Sequence, residues 1–223
     1  MKQLWQDTRF QDISGHALRP GGLALTEYAL RYCQKANLLP KQGYAADMGT
    51  GQGASLALIH TIGLTAIGLD LSRTFAHQSR SLPSQGLRLI ADVCKPPLAQ
   101  GRFCLILFEC VLSLLEDPGQ ALFWAHELLT PQGICVISDL VGSPQAHASC
   151  LGGARKRCDW QDLFQSHKLC VLHYEDRSKA VRELAAKLCW YGADLAQGAC
   201  LPAVGYGLWI CGRNNQLQTQ GSA

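Results

Sequence analysis

The residues best suited to chemistry lie in one short stretch, Ala45-Ala46-Asp47-Met48-Gly49-Thr50-Gly51-Gln52-Gly53, which ends an apolar run and opens an amphipathic one. Glycines at such a strand-to-helix turn let the chain bend sharply and let a ligand approach the backbone without a Cβ in the way. The free amides of the following helix start then face that ligand. A second apolar run ends in Gly68-Leu69-Asp70, with Asp70 standing 17 positions after Gly53 (70 − 53). That interval is near the one at which a carboxylate grips a ribose diol in such folds. Together the loop and the acid predict a nucleotide-like cofactor.

Two cofactor classes compete for this loop. Gly49-x-Gly51-x-x-Ala54 satisfies a dinucleotide fingerprint with alanine in its third place. Asp47 argues the other way, because a carboxylate two positions before the first glycine repels a pyrophosphate and attracts a cation. S-adenosylmethionine (SAM) carries an ammonium and a sulfonium. No Tyr-x-x-x-Lys pair follows the loop to serve nicotinamide chemistry.

The elements that must position these residues follow from periodicity. Short β-branched or aliphatic runs over 44–48, 65–69, 87–91, 104–108, 134–138, 169–174 and 206–211 predict strands. Helical spacing predicts helices over 23–37, 54–62, 73–79, 118–129, 160–166 and 178–190. Alternation of the two types predicts an α/β fold with a doubly wound, Rossmann-like sheet of seven strands, helices covering both faces. Asp117 before Pro118 reads as a helix cap and first turn, and Pro131-Gln132-Gly133 as a turn.

Composition narrows the class. The chain has 223 residues, 48% of them hydrophobic, and a net charge of +3, which suits one domain with a full core. Its densest basic run, Arg155-Lys156-Arg157, reads as a solvated loop, so no nucleic-acid partner is expected. The first residues lack an apolar h-region and no segment has the length and apolarity of a spanning helix, so the reading is cytoplasmic with no membrane partner. Eleven cysteines, an odd number spread through predicted strands and helices, read as reduced thiols. No C-x-x-C occurs, and His147, Cys150 and Cys158 miss the usual zinc spacings, so no metal is expected.

With these motifs in order, the chain resembles the class I SAM-dependent methyltransferases from about Arg19 to Arg213. Asp47 to Gly53 is similar to the family's first motif, which implies cofactor contacts from Asp47, Gly49, Thr50, Gly51 and Gly53. The resemblance makes Asp70 the ribose acid and puts Leu71 beside the adenine. It also matches Ile90-Ala91-Asp92-Val93 to the third motif, with Asp92 at the adenine amino group and Val93 its backbone partner. The run from Leu105 to Leu115 is similar to the segment under the methionine end of SAM, where Glu109 and Cys110 lie. Leu128-Leu129-Thr130-Pro131-Gln132-Gly133 resembles the turn before strand five, and the family's last strand is antiparallel. Two residues depart from the pattern: Cys104 stands where an acid commonly opens strand four, and Gln132 replaces a glycine.

The helix entry Arg19-Pro20-Gly21-Gly22 is similar to a small-molecule branch that includes ubiquinone/menaquinone and arsenite methyltransferase-like proteins, which implies an N-terminal lid over 1–40. The whole reads as one domain over 1–213, with an insertion over 177–205 and a disordered polar tail over 214–223. The resemblance implies methyl transfer from SAM to a small molecule, with S-adenosylhomocysteine (SAH) as product. Candidates around the acceptor are His16, Arg19, Gly22, Asp139, His147 and Trp190, on loops at the carboxyl ends of strands or in the lid and insertion. No general base is identified; His60, His77, His126 and His167 read as surface or satisfied histidines. A soft-metalloid acceptor gathered by cysteines 110, 150, 158, 189 and 200 is an alternative. So are a SAM-binding module without turnover and, last, a nicotinamide oxidoreductase.

Overall fold

The computed structural model describes residues 8–78, 86–143, 153–190 and 204–213. His147, Cys150, Cys200, most of the latter half of the expected insertion and the 214–223 tail lie outside the described residues. Seven strands form one sheet: β1 (Gly43–Met48), β2 (Leu64–Asp70), β3 (Gly86–Ile90), β4 (Phe103–Glu109), β5 (Leu129–Val141), β6 (Leu169–Asp176) and β7 (Gly205–Arg213). Their order is β3-β2-β1-β4-β5-β7-β6. β7 runs antiparallel to both β5 and β6, whereas the β1–β2, β1–β4, β2–β3 and β4–β5 pairings are parallel. The chain winds outward from β1 to β3 and returns through β4, so the carboxyl ends of β1 and β4 flank the switch point where doubly wound sheets bind ligands.

Helices α1 (Thr8–Ser14), α2 (Gly22–Lys35), α3 (Ala54–Thr61), α4 (Arg73–Gln78), α5 (Pro118–Leu128), α6 (Arg157–Ser166) and α7 (Ser178–Trp190) cover the sheet. β4 is buried along its whole length, which explains its unbroken apolar run. Its alternating side chains divide the core in two. Leu105 and Leu107 join Leu30 of α2, Leu56 of α3 and Leu188 of α7 on one face. Ile106 and Phe108 join Leu122 of α5 and Trp160 of α6 on the other. Each such fully buried aliphatic side chain contributes about 1.5–3 kcal/mol relative to exposure.

Local signals explain most boundaries. Asp117 caps α5 by accepting from Gln120 N at 3.0 Å, with Pro118 at the first helical position. Cys104, in the place of the expected acid, donates its thiol to the Tyr44 carbonyl at 3.2 Å and so ties β4 to β1. The Leu129-to-Gly133 segment, read from sequence as a turn, forms the irregular start of β5. The basic triplet is only partly a solvated loop. Lys156 and Arg157 are exposed, but Arg155 bridges to Val141 and stacks 5.5 Å above the Trp160 ring, and α6 begins at Arg157 instead of Trp160.

Candidate cofactor site

The glycine loop leaves β1 at the switch point and is tied to β2 by backbone bonds. Gly49 N and Thr50 N donate to the Leu69 carbonyl at 2.8 and 2.9 Å. Gly49 has a φ of +78°, and a Cβ there would stand 2.5 Å from the Val111 side chain, so both conformation and contact require glycine. Val111 reaches this place because Cys110, the residue after β4, adopts a left-handed φ of 60°. The turn after β4 is thereby locked onto the loop after β1.

Asp70 closes the outer half of the site. Its two carboxylate oxygens accept from Gly51 N and Ser72 N, each at 2.8 Å, which orients the group at the loop. Next to it Leu71 is 65% exposed, an apolar surface left open beside the acid. Asp92 is exposed and accepts from Cys94 N at 2.8 Å, while Val93 is buried. The carboxyl ends of β1, β2 and β3 thus present the loop, Asp70 and the Asp92–Val93 pair along one edge of the sheet.

The inner half is buried and charged. Asp47 is 2% exposed and accepts from the Thr50 hydroxyl at 2.7 Å. Burial pushes its carboxyl up to about 7, and the negative charge of Glu109 adds to this, while the Thr50 hydrogen bond and Arg19 act the other way. Glu109, at the end of β4, pairs with Arg19 Nη2 at 2.6 Å. It also accepts from the Thr26 hydroxyl at 2.7 Å and from the Ser55 hydroxyl at 2.9 Å. Arg19 Nη2 donates in addition to Thr26 and Ser55, and Nη1 donates to the Ala17 carbonyl at 3.0 Å. Two carboxylates and one guanidinium leave one negative charge in a buried cluster whenever Asp47 is ionised. That favours a cationic group and opposes a pyrophosphate.

Beyond Glu109 lies a polar layer. Cys110 N donates to the Ser138 carbonyl at 2.6 Å, and the buried Tyr206 hydroxyl sits 3.1 Å from Ser138 Oγ. Enclosure pushes the Cys110 thiol and the Tyr206 phenol up from their ordinary values. Among the described residues no group of three His, Cys, Asp or Glu side chains is arranged to hold a metal ion.

The structure sorts the acceptor-side candidates. Arg19 is drawn into the charged pocket, and Gly21 and Gly22, with φ of 78° and 53°, form the bend that starts α2 and delivers Thr26. Asp139 is fully buried, with Oδ2 accepting from Ser113 N at 3.1 Å and Oδ1 from Leu140 N at 2.7 Å; it braces the turn after β4 and presents no oxygen to an acceptor. Burial raises its pKa, against the pull of those amides and the Ser113 hydroxyl. Trp190 ends α7 at 86% exposure and covers nothing among the described residues. His16 lies in the short helical turn Gly15–Ala17 between α1 and α2. Ser55, Thr26 and Tyr206 are the members that sequence reasoning missed. The bonds of Glu109 to Ser55 and Thr26 span 54 and 83 residues, beyond any local pattern.

Residues 46–137 match the methyltransferase domain family. That span runs from β1 to the middle of β5 and contains the loop, Asp70, Asp92 and Glu109. The stretch that carries the candidate site is thus similar to a methyltransferase domain. Among curated proteins it is similar to malonyl-[acyl-carrier protein] O-methyltransferase of Pseudescherichia vulneris, 29% identical over 103 residues, which is 45% of this chain and 41% of that protein. The chain thus matches about two fifths of the length of this curated relative. Among solved structures it is similar to geranyl diphosphate C-methyltransferase from Streptomyces coelicolor A3(2), with a TM-score of 0.71 at 14% identity over 86% of this chain and 81% of that one. It is also similar to the [4+2]-cyclase SpnF, with a TM-score of 0.68 at 14% identity over 84% and 81% of the two chains. At these identities the structural likeness establishes the class I methyltransferase fold. No helix among the described residues is long and apolar enough to cross a membrane.

Proposed function

We propose that this chain is a SAM-dependent methyltransferase that transfers a methyl group to a small molecule and releases SAH. The observation that carries the reading is the pairing of a buried, net-negative pocket at Asp47 and Glu109 with a diol acid at Asp70, on two sides of one glycine loop. An ammonium and a sulfonium suit the first, a ribose suits the second, and Gly51 N lies between them. Leu71 and the Asp92–Val93 pair then flank the adenine.

SAM supplies a methyl group made electrophilic by positive sulfur. The chain's own work is alignment and exclusion of water. Asp70 fixes the sugar, Asp47 with Thr50 holds the ammonium, and the buried Glu109 orients the lid residues Arg19 and Thr26 over the methionine end. Cys110 and Tyr206, held neutral by enclosure, set the polar layer at the acceptor side. No side chain in the described site is placed as a strong base, which suits an acceptor that is already nucleophilic at neutral pH. A cytoplasmic setting, with reduced cysteines and free access to SAM, fits this chemistry.

The two methyltransferases among the named relatives differ in acceptor by their names, a malonyl-[acyl-carrier protein] and geranyl diphosphate, so the acceptor is to be found by experiment. The test is incubation of the protein with SAM and a metabolite extract, with mass-spectrometric detection of products carrying one added methyl. Asp70→Ala should remove every such product along with SAH release. Products that persist at the same rate in Asp70→Ala would overturn the assignment of the cofactor site.

A further inference from the structure

The charges of the site do not balance. Asp47, Glu109 and Arg19 are each more than nine-tenths buried. The Arg19 guanidinium pairs with Glu109 at 2.6 Å, whereas the donor that meets Asp47 is the neutral Thr50 hydroxyl at 2.7 Å. Asp70, across the glycine loop, is a third carboxylate within electrostatic reach of Asp47. With Asp47 ionised, three carboxylates face one guanidinium, an excess of two negative charges. Buried charges act on one another through a low effective dielectric and are little screened by salt, so this excess weighs on any ligand that enters.

The two forms of the cofactor differ by one charge at one atom. SAM carries an ammonium, a sulfonium and a carboxylate, which leaves one net positive charge. SAH keeps the ammonium and the carboxylate, but its thioether is neutral. In the transfer a lone pair of the acceptor forms the new bond to the methyl carbon and the S–CH3 pair returns to sulfur. The positive charge thereby leaves sulfur for the acceptor, which releases a proton to water if its attacking atom carried one.

Resting on the reading of this pocket as the SAM site, we propose that its unbalanced carboxylates read the charge on sulfur, holding the sulfonium and letting the thioether go. Asp47, whose hydrogen-bond donor is a neutral hydroxyl, is the residue that determines this preference. Product release then follows from the chemistry itself. The step that neutralises sulfur removes one of the charges that held the ligand.

Calorimetric titration with SAM, SAH and sinefungin at pH 8 tests this. Sinefungin carries a protonated amine in place of the methylsulfonium, so it has the charge without the transferable methyl. The wild-type protein should bind SAM and sinefungin about tenfold or more tighter than SAH, the scale of one charge pair at an intermediate dielectric. Asp47→Asn keeps an acceptor for Thr50 and removes the charge. It should weaken all three ligands, because the ammonium loses its partner, and shrink the preference for the two cations over SAH to about threefold or less. The ratio of affinities is the readout, since the ammonium and ribose contacts are common to the three ligands and cancel from it. Should Asp47→Asn bind too weakly to titrate, Glu109→Gln is scored by the same ratio. A wild type that binds SAH as tightly as SAM, sinefungin ranking with SAH, or a preference unchanged in the variant would overturn the proposal. A wild type that binds none of the three would refute the cofactor reading itself, and the charge preference with it.

Discussion

The two halves of the site are built on different physical principles. The half we assign to the adenosine, Gly51, Asp70, Leu71 and Asp92, is open, and its polar contacts join backbone amides to carboxylates on the adjacent ends of β1, β2 and β3. The half we assign to the methionine end, Asp47, Glu109, Arg19, Thr26 and Ser55, is buried, charged and assembled from β1, β4, α2, α3 and the segment before α2. The first half is a shape presented to a ligand. The second is an electrostatic cage whose stability, proton content and ligand preference are coupled.

That contrast is broken most strongly by removing one member of the cage. Glu109→Ala leaves the Arg19 guanidinium buried and unpaired, so the free protein should lose about 3–5 kcal/mol in denaturant unfolding. Asp70→Ala, in the open half, should leave unfolding nearly unchanged. It should instead weaken SAH by about 100-fold or more, the scale of losing two hydrogen bonds to a charged group. A large stability loss in Asp70→Ala would show the two halves to be alike.

The cage should also respond to pH. Cation binding prefers ionised Asp47, whose pKa is held up near 7, so SAH affinity should rise with pH through about 7 and level off above it. Well below that point it should fall by about tenfold per pH unit. Asp47→Asn should flatten this profile. The same shift acts on stability with the opposite sign. Because the folded value lies above the ordinary 3.8, this group's contribution to stability is fully present below about pH 4 and is lost as pH rises through about 7. Asp47→Asn should therefore stabilise the free protein at pH 8 by about 1–2 kcal/mol, read as a raised unfolding midpoint. The smallest effect is expected at the open edge, where Leu71→Ser should weaken SAH by only about three- to tenfold through lost apolar contact with the base.

Legibility from sequence follows the same division. The strands, the order of motifs and the glycine loop with Asp70 were readable because period, turn chemistry and spacing are local properties. Asp47 was readable as an acid at the end of β1, beside the glycine loop, from its position alone. Its proton affinity was not, since that depends first on its burial in the folded core and then on Glu109, which is 62 residues further on (109 − 47). Asp139 looked like an acceptor-facing residue because it ends a strand at the right side of the sheet. The backbone amide of Ser113, which turns it inward, belongs to a turn with no periodic signature. Thr26 and Ser55 carry side chains common in first helical turns, and only the packing of α2 and α3 against the end of β4 gives them a shared partner.

The central claim is that the loop and cage together select a sulfur-nucleoside cofactor over a dinucleotide. Titration calorimetry of the wild-type protein with SAH and with NAD at pH 8 tests it directly. The account predicts saturable one-to-one binding of SAH and no binding of NAD; tight NAD binding without SAH binding would contradict it.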